Sequence, residues 1–149
     1  KFKNKDKLFF IDKYYKPELP LNLTKYLLKF ANSSIDVSDG LIDDLSKMIN
    51  RQRLSFHLFE NKIPVSNKLN NLIKKQRLNK INLISNGDDY QILFTANINK
   101  ARIIQNTSKA TGIKITKIGK IISGRYKSLI LGEKGKQIQA KSKGYIHRF

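Results

Sequence analysis

Apolar positions fall at helical spacing in LNLTKYLLKFA, where Leu23, Tyr26, Leu27 and Phe30 predict a helix from residue 21 onward. The period then shortens, because SSIDV is brief and β-branched and reads as an extended segment. Beyond it DGLIDDLSKMIN places Leu41, Leu45, Met48 and Ile49 on one helical face, so a strand runs into a helix through the turn Ser38-Asp39-Gly40. Leu54, Phe56 and Leu58 alternate with Ser55, His57 and Phe59 and predict a strand with one imperfectly polar side. KLNNLIKKQRL returns to helical spacing at Leu69, Leu72 and Ile73, and YQILFTA reads as a strand. INKARIIQNTSKATG is a helix closed by Gly112. IKITKIGKIIS alternates at Ile113, Ile115 and Ile118, ahead of a Gly119 expected to mark a bulge. SLILG, KQIQA and the tail GYIHRF end the chain in short strands or irregular structure.

Residues 1–20 read as a lead-in or interdomain segment, charged, then aromatic, then KPELP, whose prolines favour extended backbone and stop a helix from running through. Residues 21–149 form one domain in which strands and helices alternate. The expected class is α+β (mixed α/β), with helices packed on a mixed sheet. A chain of 149 residues suits one domain with a real core.

Composition removes several kinds of chemistry. With no cysteine, disulfides, thiol catalysis and thiolate zinc sites are excluded together. His57 and His147 lie far apart, without the close spacing of a helical metal pair, and read as ordinary surface or packed histidines. No apolar run is long enough to cross a bilayer and the basic start lacks a signal-peptide cleavage site, so the expected setting is cytoplasmic with no membrane partner. The formal net charge of +19 invites a nucleic-acid reading, since lysines that neutralise phosphates release counterions. Lysine is nevertheless spread along the whole chain, and abundant Lys, Asn and Ile together resemble the coding bias of an AT-rich genome. No stacking platform is interleaved with the basic stretches, so nucleic acid is not the expected partner, and a basic nucleic-acid-binding module stands as the alternative from a different class. Attraction for anionic ligands remains a fair consequence of the charge.

Against that basic background, SSIDVSDGLIDDLSKM gathers Asp36, Asp39, Asp43 and Asp44 beside Ser38 and Gly40. A strand entering a helix at this point leaves N–H groups unpaired where the helix dipole is positive, which is a place for phosphate. Gly40 lets the backbone approach a ligand, Ser38 offers a hydroxyl, and Asp36 and Asp39 could hold a cation alongside. Magnesium keeps most of its waters and needs only one or two carboxylates plus substrate phosphate oxygens. The same residues also admit a purely structural reading, with Ser38 or Asp39 as an N-cap and Asp43 and Asp44 favouring the first turn. No G-x-x-x-x-G-K-S/T sequence is present, which excludes an ordinary P-loop.

IDVSDGLIDDL taken together with SNGDDYQILFT resembles the C-terminal domain of the thiamine-monophosphate kinase family, within the aminoimidazole ribonucleotide synthetase-like superfamily. The family carries IDVSDGL, then S-G-G-E-D-Y-E-L-x-F-T, then a terminal G-Y/W-D-H-F, and the likeness runs from about YYKP to the last phenylalanine. It implies that Asp36 and Asp39 bind Mg2+, that Ser38 contacts ATP, and that Asp88, in the place of a family glutamate, and Tyr145 contact thiamine phosphate. A thiazolium cation suits both a carboxylate and an aromatic face. Bland alternatives are that Asp88 and Asp89 belong to a turn before a strand and that Tyr145 packs at a domain edge. Asn86 replaces a family glycine, Gln91 an acid, and the tail has Arg148 before Phe149 without the usual acid after tyrosine.

The implied reaction transfers the γ-phosphoryl of ATP to thiamine monophosphate, giving thiamine diphosphate. No residue is assigned as a general base, because the acceptor phosphate is already largely ionised near neutral pH. The resemblance further implies a preceding N-terminal domain, absent from this sequence, that supplies more metal-binding aspartates, much of the ATP site and the contacts of a homodimer in the full-length form. The expectation is a separately produced C-terminal domain or a fragment of a longer chain, inactive or nearly so by itself. Another ATP-dependent enzyme of the same superfamily is the alternative within the same class.

Overall fold

A computed structural model describes residues 4–50, 52–124, 126–141 and 144. Its elements run α1 (Asn4–Tyr15), α2 (Leu21–Leu27), β1 (Ala31–Asp36), α3 (Leu41–Met48), β2 (Leu54–Phe59), α4 (Asn67–Gln76), α5 (Lys80–Leu83), β3 (Ile92–Ala96), α6 (Ala101–Thr111), β4 (Gly119–Ser123), β5 (Leu129–Leu131) and β6 (Gln137–Ile138). Helix α1 lies within the lead-in and was not among the predicted elements, and residues 17–20 are non-helical, as KPELP predicts. Pro17 and Pro20 lie beyond its last turn and keep the helix from running through. Lys68 of α4 holds its Nζ 4.4 Å from the centre of the Phe9 ring, which brings α1 onto the rest of the domain.

Strands β1 and β3 pair antiparallel, Ser34 opposite Phe94 and Asp36 opposite Ile92, with Ser33 Oγ 2.7 Å from Thr95 Oγ1. A separate sheet has the order β4-β2-β5-β6, in which β2 runs antiparallel to β4 and parallel to β5. Ser55, expected on a polar side of β2, is fully buried. Of the stretch IKITKIGKIIS only Gly119–Ser123 forms a strand, β4, and residues 113–118 before it do not. Phe59 donates its N–H to the Ile118 carbonyl at 2.8 Å, and β2 then turns away into a 3-10 turn (Glu60–Lys62), leaving residues 113–117 without a neighbouring strand. Gly119 marks no bulge, since register is unbroken from Leu58–Gly119 to Leu54–Ser123. A side chain there would meet the His57 carbonyl oxygen at 2.4 Å, so close strand packing explains the glycine.

The core gathers Val37, Leu41, Ile42, Leu45 and Ile49 around α3 with Phe56 and Leu58 of β2, Ile63, Ile81, Ile84 and Leu93 of β3. Apolar spacing in α3 therefore does what its sequence predicts: one face is clamped against the sheet and α5. Short α5 was not anticipated. Asn79 caps it by accepting the Ile81 N–H at 3.1 Å, and Ile81 is fully buried, which fixes the chain just before SNGDDY. Helix α6 ends at Gly112 in the left-handed conformation, as its sequence predicts. No helix among the described residues is long and apolar enough to cross a membrane.

Candidate functional site

Two loops that are far apart in sequence are joined by backbone hydrogen bonds. Past the Asp36–Ile92 pair, Val37 donates to the Gln91 carbonyl at 2.9 Å, Tyr90 to the Val37 carbonyl at 2.9 Å and Asp88 to the Ser38 carbonyl at 2.8 Å. The β1–β3 pairing thus continues as a clasp that sets Ser38-Asp39-Gly40 against residues 86–91. Glycine is required twice in this clasp. A Cβ on Gly87 would lie 1.9 Å from the Ser38 carbonyl oxygen, and Gly40 combines φ +121° with the Ser85 carbonyl oxygen 2.4 Å from its Cβ position.

Asp44 organises the corner. Its Oδ2 accepts the N–H groups of Ser38, Asp39 and Gly40 at 3.0, 3.0 and 3.1 Å, and the residue is only 1% exposed. Lying in the first turn of α3, it reaches back over the helix start and does the work expected of an N-cap; Gly40, in the N-cap position, makes no side-chain cap bond. This also revises the phosphate site expected from unpaired N–H groups. The three donors leading into α3 are engaged by a carboxylate of the same chain, and the Leu41 N–H is taken by the Ile84 carbonyl at 3.2 Å.

The carboxylates of Asp39, Asp43 and Asp44 converge so that one oxygen from each lies within 4.8 Å of the others. Lys47, one turn along α3, directs its ammonium into this group. It pairs with Asp39, with Asp43 at 2.8 Å and with Asp44 at 3.4 Å. The hydrogen bonds it donates to Asp39 and Asp43 are the main reason its pKa is raised above the ordinary lysine value. Asp36 is not in this group: it is exposed at the end of β1, on the side of Tyr90, whose pKa its charge helps to raise. Gly144 also reaches the corner, since a Cβ there would lie 2.5 Å from Asp43 Cβ and 2.8 Å from the Asp39 carbonyl oxygen.

Across the clasp, Asp88 and Tyr90 adopt left-handed backbone with φ of +67° and +50°. Non-glycine residues occupy this region rarely, and two so close together mark a constrained loop. Tyr90 donates its hydroxyl to Asp88 Oδ1 at 3.3 Å, and the charge of Asp88 is the first cause of the raised Tyr90 pKa. Asp89 retains an exposed edge, yet desolvation by its neighbours, helped by the Asp88 charge, raises its carboxyl to about 6. The arrangement is a constrained acidic loop beside an acidic turn, on a chain that is otherwise strongly basic. Chemically it can hold a cation and, across the clasp, present carboxylate and phenol to a second cationic group.

No protein-family model matches the sequence. The thiamine-monophosphate kinase of Buchnera aphidicola subsp. Acyrthosiphon pisum (strain APS) is 34% identical over 143 residues, covering 93% of this chain and 42% of that protein. The chain is a homologue of thiamine-monophosphate kinase. The crystal structure of thiamine monophosphate kinase from Aquifex aeolicus matches with a TM-score of 0.68 at 26% identity, over 93% of this chain and 43% of that one. AaThiL complexed with AMPPCP and TMP matches with a TM-score of 0.71 at 25% identity, over 98% of this chain and 43% of that one. The fold is the aminoimidazole ribonucleotide synthetase-like one. The chain spans about two-fifths of the length of these relatives.

Of the residues that the thiamine-monophosphate kinase resemblance singles out, Ser38 and Asp88 are bonded to each other through their backbones, Asp39 faces Lys47, and Asp36 lies at the start of the clasp. Tyr145 lies outside the described residues. Sequence reasoning missed the separate parts of Asp44 and Lys47. A signal for Lys47 was present, because it stands four residues after Asp43 and three after Asp44 on one helix. Nothing in the spacing distinguishes the inward-turned Asp44 from the exposed carboxylates around it.

Proposed function

We propose that this chain is the C-terminal domain of a kinase that transfers the γ-phosphoryl of ATP to thiamine monophosphate, forming thiamine diphosphate and ADP. The observation that carries the reading is the clasp, which joins the two motif loops at Ser38 and Asp88 into one site. Support also comes from relatives named thiamine-monophosphate kinase and from a matching structure complexed with AMPPCP and TMP. That shared name does not favour a different enzyme of the superfamily.

Asp39 and Asp36 are the proposed Mg2+ ligands. Hard carboxylate oxygens fit a small divalent cation, and those of Asp39 converge with Asp43 and Asp44 on the Lys47 ammonium, while Asp36 stands outside that group and is assigned from the resemblance. When bound, the ion supplies positive charge between carboxylates and phosphate oxygens, which spreads the charge of the transferring phosphoryl group. Ser38 offers its hydroxyl to ATP from a turn that Asp44 holds rigid. Asp88 and Tyr145 are the proposed contacts of the thiazolium cation. A terminal phosphate oxygen of thiamine monophosphate forms the new P–O bond to the γ-phosphorus, and the bond from that phosphorus to the bridging oxygen of ADP breaks. The protein's part is in-line positioning and exclusion of water. A domain corresponding to the rest of the relatives' length completes the ATP site with further carboxylates and forms the homodimer contact. The reaction is placed in the cytoplasm.

The test is thiamine diphosphate formation by the complete enzyme, with ATP consumption compared across other phosphate acceptors. Asp39→Asn is expected to lose most turnover while its circular dichroism is unchanged. Full turnover of that variant with magnesium as the sole divalent ion would remove Asp39 from the mechanism. The 149-residue chain alone is expected to be inactive or nearly so.

A further inference from the structure

We infer that Lys47 is a built-in competitor for the metal: its ammonium occupies the cation position among Asp39, Asp43 and Asp44, and a divalent ion binds there only by displacing it. The inference rests on the magnesium reading of this corner and adds to it a residue that controls when the site is loaded.

Geometry carries the argument. Lys47 reaches all three carboxylates at once, from a backbone position that α3 fixes one turn beyond Asp43. A magnesium ion takes oxygen ligands at about 2.0–2.1 Å, and an ammonium already hydrogen-bonded to the same oxygens stands in that coordination space. The two cations repel, so one excludes the other. Being tethered to the helix, the ammonium competes at high effective concentration. The surroundings suit exchange rather than permanent occupancy. The Lys47 side chain is 45% exposed, so it can swing out without opening the core, whereas Asp44 is held by three backbone N–H groups and stays in place. The consequence is a corner whose carboxylate repulsion is partly offset and whose shape is kept before metal arrives. Displacement is easiest when a polyphosphate accompanies the ion, because its oxygens give the released ammonium a new partner.

Mn2+ binding to the 149-residue chain, read from the electron paramagnetic resonance of the free ion, tests this without any turnover. Lys47→Met is expected to bind Mn2+ about tenfold more tightly than the parent, and Lys47→Arg, which keeps the charge, within about twofold of it. Adding Asp39→Asn to Lys47→Met should abolish the gain. Equal, measurable affinities for the parent and Lys47→Met would overturn the Lys47 inference and leave the magnesium reading standing. No binding by Lys47→Met would likewise overturn the Lys47 inference, whereas the magnesium reading is tested on the complete enzyme with nucleotide. Thermal melting separates competition from a merely structural part for the lysine. Lys47→Met is expected to melt below the parent and to recover on adding Mn2+, because the ion replaces the missing charge; a lowered melting point that Mn2+ does not restore would overturn the inference.

Discussion

Asp44→Ala withdraws a single oxygen that accepts three backbone N–H groups, at 3.0, 3.0 and 3.1 Å. Hydrogen bonds to a charged group contribute a net of about 1.5–3 kcal/mol each when isolated, but these share one acceptor and are not additive. The Ser38 and Asp39 donors are partly buried and regain water in the variant, whereas the Gly40 donor is buried and is left without a partner. An orphaned buried N–H costs about 1–3 kcal/mol, and the two rehydrated bonds add a smaller loss, so the expected destabilisation is about 3 kcal/mol. Lys47 keeps Asp39 and Asp43, which limits the damage to the turn itself. Asp44→Asn retains an acceptor oxygen without the charge and should cost about half as much, roughly 1.5 kcal/mol. Urea unfolding of the 149-residue chain reads both values from the midpoint at constant slope. A loss below about 0.5 kcal/mol for Asp44→Ala would match an ordinary surface substitution and refute the view that this carboxylate holds the corner.

Gly87→Ala places a methyl group 1.9 Å from the Ser38 carbonyl oxygen, so the clasp must open. Hydrogen exchange at the Asp88 and Tyr90 amides should accelerate by more than about tenfold, whereas unchanged protection would show that the loops are not joined as described. Asp89 titrates in the opposite sense from a salt-bridged acid. Its carboxyl is raised from 3.8 to about 6 on folding, so its favourable contribution is complete below pH 3.8 and is lost as the pH climbs through about 6. Asp89→Asn should therefore match the parent near pH 4 and exceed it at pH 7 by about 1 kcal/mol, the shift being discounted for the group's exposure to water. Urea midpoints at the two pH values check this, and a variant less stable than the parent at pH 7 would reverse the assigned sign.

The parts of the fold that could be read directly from the sequence are those whose burial is one-sided. Leu41, Leu45 and Ile49 show their helix because a single face meets the core. Helix α1 was hidden because Leu8, Phe9, Phe10 and Ile11 are consecutive, which masks any period, and Leu8, Ile11, Tyr14 and Tyr15 remain exposed. Four-residue α5 is too short to show a period at all. At the site, glycine and aspartate identities were informative while their contacts were not. Gly87 and Gly40 look alike as turn residues, and only the fold shows that each faces a carbonyl oxygen. Four aspartates in nine residues are equivalent in sequence, yet Asp44 is buried against backbone amides, Asp39 and Asp43 meet Lys47 nearer the surface and Asp36 stands apart near Tyr90. Long-range pairing makes these distinctions, because residues 37–38 meet residues 88–91 only once β1 and β3 have come together.

The most direct measurement is anomalous scattering from Mn2+ in crystals of the complete enzyme holding a non-hydrolysable ATP analogue. A peak is expected between the Asp39 carboxylate and phosphate oxygens of the nucleotide, with Lys47 turned out of the acidic group. A bound triphosphate whose metal ions all lie remote from Ser38-Asp39-Gly40, with Lys47 still among the carboxylates, would contradict it.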